Sequence, residues 1–199
     1  RNSGKLILEV PDLNSLIDKT GFDTIYHEHR HYFSENSMNK ILNKNGFFIE
    51  NIQKINYMSG SLRVFASKTN IKLDKNLRKV NLKKFNKFKS RVNIIIKRLK
   101  NFTKKYKFVV GIGAATKGNT LLNYCQFSDK DVSMILDKSN FKINKFTPGS
   151  GIKIVDENIK IKPDAAIILP WNITKYLLKK RIFKNKIKYI SIPKIINKL

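Results

Sequence analysis

The stretch KFVVGIGAATKGNTLLNY, residues 107–124, decides the fold. Lys107–Ile112 is an apolar run of strand length. Gly111-Ile112-Gly113 then turns the chain where a side chain would obstruct it. A helix follows from about Gly118 to Tyr124. Strand, glycine turn and helix in that order open an α/β unit. The alternation continues toward the C-terminus. Ser133–Leu136 is a strand that ends at Asp137, and Gly151–Val155 is another. Ala165–Leu169 is a continuous apolar strand after Pro163-Asp164. Ile173–Lys184 reads as a helix and Lys188–Ile192 as a final strand. Continuous apolar strands alternating with helices predict a parallel sheet covered on both faces.

The N-terminal part is also α/β. After a turn at Asn2-Ser3-Gly4, Lys5–Val10 is an apolar run closed by Pro11 and reads as a buried strand. Pro11–Ile25 is a loop with room for a short helix. Ser34 or Asn36 caps a helix through Asn45, with Met38, Ile41 and Leu42 on one face and Gly46 as the stop. Phe47–Ile55, a turn at Asn56–Gly60 and Ser61–Ser67 form an antiparallel hairpin. From Asp74 through Lys105 there is no Pro or Gly. Leu77, Val80, Phe85, Phe88, Val92, Ile95, Ile96 and Leu99 recur at roughly helical spacing, which predicts a long amphipathic connecting helix.

Lys and Arg number 41 against 14 Asp and Glu in 199 residues, a formal charge of +27. The excess is mostly Lys, spread along the chain among Asn and Ile, as an AT-rich coding bias would give. It therefore argues for an anionic small substrate more than for nucleic acid, which calls for a concentrated basic stripe. One cysteine, Cys125, excludes a disulfide framework and a Cys-rich zinc site within these residues. No apolar run is long enough to span a bilayer, and the expected setting is cytoplasmic. The first residue is Arg1 and not Met, so the chain is expected to be part of something longer.

Four constellations could carry chemistry. Tyr26-His27-Glu28-His29-Arg30-His31-Tyr32 holds all three histidines. In an extended segment His27, His29 and His31 would share a face, as a metal site or as the setting for a general base, since imidazole titrates near neutrality. Surface histidines without chemistry are the plain alternative, and no metal is assigned. The turn at Gly111, Gly113 and Gly118, with Lys117 and Asn119, could cradle a phosphate at a helix N-terminus. Its third glycine comes two positions late for a dinucleotide fingerprint, and it is not a P-loop, so it could also be a packing turn. Asp137, at a strand end, stands where an acid takes ribose hydroxyls or simply closes a turn. Trp171 and Asn172 follow the apolar strand at its carboxyl end, where open parallel sheets bind ligands.

Taken in order, GKLILEVPDL, FDTIYHEHRHYFS, NKNGFFIENI, SGSLRVFAS, GIGAATKGNTLLNY, FTPGSGIKI and ILPWN resemble the sugar C-methyltransferases that act on nucleotide-linked ketosugars. The resemblance implies three parts. Residues 1–67 would close a Rossmann-like S-adenosylmethionine domain, with Lys5–Val10 as its fifth strand and the hairpin as its sixth and seventh. Residues 68–106 would be a helical connector, and 107–199 a C-terminal Rossmann-like domain. It implies S-adenosylmethionine as cofactor, held mostly by residues before Arg1, and zinc only in a further N-terminal domain. Without that loop the chain alone would be inactive. The implied substrate is a nucleoside-diphosphate 4-keto-6-deoxy sugar, methylated beside the ketone through an enolate. Tyr26, Glu28 and His29 match the family's Tyr-x-Glu-His, with His29 as base. Lys117, Asn119 and nearby amides would face the diphosphate. Arg30-His31 and Met58-Ser59 depart from the family's usual residues and bear on substrate identity. The competing expectations are a non-catalytic nucleotide-sugar-binding module, a basic nucleic-acid-binding protein and a dehydrogenase-like enzyme.

Overall fold

The strands fall into two separate sheets in the computed structural model, which describes residues 4–56, 59–69, 76–180, 182–183 and 186–192. The chain divides into two units, Arg1–Arg91 and Val92–Leu199.

In the first unit β1 (Lys5–Pro11), β2 (Phe48–Ile55) and β3 (Ser61–Ser67) form a sheet of order β1-β3-β2. β3 is antiparallel to both neighbours. Leu6, Leu8 and Val10 pack on the core, while Ile7 is 58% exposed. β1 is therefore half-buried, not buried on both faces as its apolar composition suggests. In β2 both Ile49 and Ile52 are buried although they lie an odd number of residues apart. A register shift between Ile49 and Asn51 reconciles this, since the extra residue turns the strand over.

Two helices complete this unit. α1 (Leu13–Lys19) is capped by Asp12, whose carboxylate accepts from the Asn14 N–H at 3.0 Å. α2 (Glu35–Lys44) is capped by Ser34, and Ser37 returns the bond in a capping box. Met38 and Leu42, one turn apart, are buried, but Ile41 is 47% exposed at the edge of that face.

The connecting helix starts later than its apolar spacing predicts. α3 (Leu82–Asn86) begins after Asn81, whose side chain accepts from the Lys84 N–H at 3.1 Å. α4 (Phe88–Lys104) follows directly and buries Val92, Ile95, Leu99 and Thr103. Ahead of α3 the chain is tied down instead. Leu77 packs on the first core, and the Arg78 N–H donates to the buried Glu35 carboxylate at 2.9 Å. Those contacts take the backbone groups that a helix would need. Residues 74 and 75, where the helix was expected to start, lie outside the described residues.

The second unit carries β4 (Val109–Ile112), α5 (Thr116–Tyr124), β5 (Met134–Asp137), β6 (Ile154–Asp156), β7 (Ala165–Ile168), α6 (Thr174–Lys180) and β8 (Lys188–Ile190). Its sheet has order β6-β5-β4-β7-β8, and every pair is parallel. This is the α/β, Rossmann-like architecture expected. All four residues of β4 and of β7 are buried, as central strands covered on both faces must be. From β4 the chain moves out through β5 and β6, then returns to place β7 on the other side. The order therefore reverses between β4 and β7, and a crevice opens at the carboxyl ends there. α6 ends at Lys180; residues 181 and 184 of the helix predicted to reach Lys184 lie outside the described residues.

Candidate functional site

The first unit forms a cavity of about 320 Å³ where β1 ends and β3 begins. Glu9, Asp12, Thr24, His29, Ser59 and Gly60 are on its wall. The segment carrying His29 is an arch with two feet. One is a single helical turn at Phe22–Thr24, where the Thr24 N–H donates to the Gly21 carbonyl. The other is Phe33, whose carbonyl accepts from the Leu13 N–H and whose N–H donates to the Pro11 carbonyl. Both feet stand at the end of β1, so the arch overhangs the cavity.

The arch is not extended. The His29 N–H donates to the Tyr26 carbonyl at 2.9 Å, and this turn separates the histidines. His27 and His31 are exposed, and only His29 lies on the cavity wall. No three His, Cys, Asp or Glu side chains converge on a metal position among the described residues. The turn brings Tyr26 and His29 together instead, with rings stacked 4.4 Å apart and the Tyr26 hydroxyl 3.4 Å from Nε2. His29 Nδ1 lies 2.9 Å from the Thr24 carbonyl oxygen. The same oxygen accepts from the Tyr32 hydroxyl at 2.9 Å. Burial, and then the nearby Tyr26, push the Tyr32 phenol above the usual range, so it stays a donor. Glu28 is exposed and off the wall.

Two features of this site escape sequence reasoning. Tyr32 sits six residues after Tyr26, a spacing with no meaning until the arch folds. Ser59 is buried, and its hydroxyl has no partner among the described residues. The departure at Met58-Ser59 flags its position in the sequence but not its place on the wall.

The second unit forms a cavity of about 500 Å³ at the carboxyl ends of β4, β5 and β7, where the strand order reverses. Ile112, Leu136, Pro170, Tyr176 and Leu177 make an apolar wall. Asp137, Lys138, Ser139, Lys142, Glu157 and Lys180 supply the polar groups. Asp137 stands at the end of β5 as expected, but both its oxygens accept backbone N–H groups, from Ala114 at 2.7 Å and Ser139 at 2.8 Å. Lys142 donates to the Ala114 carbonyl at 2.8 Å, and Lys180 pairs with Glu157.

The glycine turn is engaged in the same way. Gly113 has φ +83°, and a Cβ there would lie 2.7 Å from Pro170. Its N–H donates to the Leu136 carbonyl at 2.7 Å. Gly111 is inside β4, and a Cβ on Gly118 would meet the Leu169 Cβ at 2.6 Å. The Gly113 and Ala114 amides of the turn are therefore already engaged within the chain. Lys117 is buried, with its ammonium 4.1 Å from the centroid of the Trp171 ring. Lys117, Asn119, Trp171 and Asn172 are not on the cavity wall, whereas Gly113 and Asp137 are.

The family described as C-methyltransferase C-terminal domain matches residues 57–193 of this chain. A curated relative, the C-methyltransferase NovU of Streptomyces niveus, is 29% identical over 85% of this chain. The chain spans 44% of that relative's length.

Proposed function

The chain belongs to the C-methyltransferase C-terminal domain family, and from that premise we propose that it takes part in methylating a sugar carbon beside a ketone. The substrate proposed is a nucleoside-diphosphate 4-keto-6-deoxy sugar. One observation carries the reading: His29 lies on the cavity wall at the end of β1, stacked on Tyr26, whose hydroxyl points at its ring. A hydrogen on carbon is removed only where a base and a partner for the developing enolate oxygen stand close together. His29 is the base. Tyr26 is proposed to donate to the enolate oxygen. Glu28, at the exposed edge, is left to orient a sugar hydroxyl.

S-adenosylmethionine, when bound, supplies the electrophilic methyl group. The described residues contain no glycine-rich cradle beside the His29 cavity, and the cavity is at the small end of ligand pockets. The residues present therefore fit the base and the sugar, not that cofactor's nucleoside.

A nucleotide is proposed as the ligand of the second unit. Its cavity has an apolar wall with Tyr176 and a rim of lysines, which suits a base and its phosphates. Lys138 and Lys142, on its wall, are proposed as diphosphate contacts in place of Lys117 and Asn119, which are not on it.

In the enzyme that contains this chain, His29→Asn should abolish methyl transfer while substrate affinity stays within about tenfold, because a positioned base contributes roughly 10²–10⁴-fold. Near-normal turnover in that variant ends the base assignment.

A further inference from the structure

We infer that Tyr32 is a positioning residue that fixes which nitrogen of His29 acts, by holding the Thr24 carbonyl that both side chains share. The inference rests on His29 as the proposed base and names how its lone pair is aimed.

A peptide carbonyl can only accept a hydrogen bond. Nδ1 of His29 lies 2.9 Å from the Thr24 oxygen, so in the neutral ring Nδ1 carries the hydrogen. The lone pair is then on Nε2, the nitrogen that faces the Tyr26 hydroxyl at 3.4 Å. A ring with the opposite tautomer would set two lone pairs against each other at Thr24 and leave no base on the Tyr26 side. The acceptor's chemistry sets the tautomer as long as the Thr24 carbonyl is held where Nδ1 reaches it.

What holds that acceptor is Tyr32. Its hydroxyl donates to the Thr24 oxygen at 2.9 Å, across eight residues of chain. Its ring stands edge-on to His29, with centroids 6.3 Å apart and planes at 87°. Between residues 25 and 33 the arch has only two backbone bonds of its own, the Ile25 N–H to Phe22 and the His29 N–H to Tyr26, before Phe33 returns to Pro11. The Tyr32 bond is thus a brace between the far side of the arch and the carbonyl under His29. A carbonyl oxygen has two lone pairs, so it serves both donors at once.

The test needs no ligand in its first arm. The chain is labelled with ¹⁵N-histidine and its imidazole tautomers are read by long-range ¹H–¹⁵N correlation above the histidine pKa. The expected spectrum shows His29 with hydrogen on Nδ1, and Tyr32→Phe, which keeps the ring, mixes the two tautomers. Hydrogen on Nε2 in the unmodified chain overturns the inference, and an unchanged Nδ1–H form in Tyr32→Phe overturns the role of Tyr32. In the second arm, in the methyl-transferring enzyme, Tyr32→Phe should lower kcat by about tenfold, a part of what a positioned base contributes, with KM unchanged. Equal loss in kcat and rise in KM points to a general loosening and counts against it. The base assignment fails separately: it fails if His29→Asn retains turnover, whatever the tautomer spectrum shows.

Discussion

His29 and Lys117 sit in opposite electrostatic situations, and each makes a prediction of its own. The imidazole has one nitrogen engaged by a carbonyl and the other beside a hydroxyl on a cavity wall. The Lys117 ammonium is buried against an indole, away from the larger cavity. Cation–π contacts are worth on the order of 0.5–2 kcal/mol. Lys117→Ala should therefore lower Tm and raise KM for the nucleotide sugar less than Lys142→Ala does. A larger KM effect at Lys117, with Tm unchanged, would return the diphosphate to that residue. Cys125 is fully buried, and burial pushes its thiol up to about 12. A thiol reagent at pH 8 should leave it unmodified in the native chain and label it once the chain is denatured; rapid native labelling contradicts the packing. The residue types at the first cavity are legible in the sequence, since Tyr26, Glu28 and His29 share one short segment. Their geometry is not. Alternation predicts His27, His29 and His31 on one side, but a single backbone bond at Tyr26–His29 turns two of them outward.

At the scale of elements, the turn after β4 shows why glycine spacing misleads. Gly118 is needed where α5 presses on Leu169, the residue after β7, whatever else the turn holds. Gly118→Ala overpacks that contact, which costs about 1–3 kcal/mol. Thermal unfolding should show a fall of several degrees without loss of the parallel sheet, and an unchanged Tm would mean that α5 sits further from Leu169. The strands of this unit were predicted within two or three residues because β4 and β7 are apolar throughout, which only a central parallel strand requires. The start of α3 was not, because propensity says nothing about tertiary ties. Asp18 is one of these: it takes Arg78 at 2.6 Å and Lys84 at 2.9 Å. Burial alone would raise its carboxyl, but those two cations hold it below the usual value. A lowered carboxylate stabilises the fold above its unfolded pKa and loses that contribution as pH falls through the folded one. Protection of the amides of residues 78–91 against exchange should accordingly fall below about pH 4, and Asp18→Asn should show the same loss of protection at neutral pH. Equal protection in both proteins would separate Asp18 from the tie.

For the whole molecule, each unit brings a cavity at the carboxyl end of its first strand, one with His29 on its wall and one with an apolar, lysine-rimmed crevice. The charge of +27 is consistent with an anionic substrate but has no single locus in either cavity. No helix among the described residues is long and apolar enough to cross a membrane. The family was within reach of the sequence because its motifs are contiguous strings. The division between Arg91 and Val92 was not, because it falls inside the unbroken pattern of α4. The central claim is that His29 takes hydrogen from the carbon beside the ketone. It is tested most directly by deuterium exchange at that carbon, with the methyl-transferring enzyme and a nucleotide-linked 4-ketosugar in D₂O without a methyl donor. The account predicts deuterium at that one carbon with the unmodified enzyme and none with His29→Asn. Exchange at an undiminished rate in His29→Asn would contradict it.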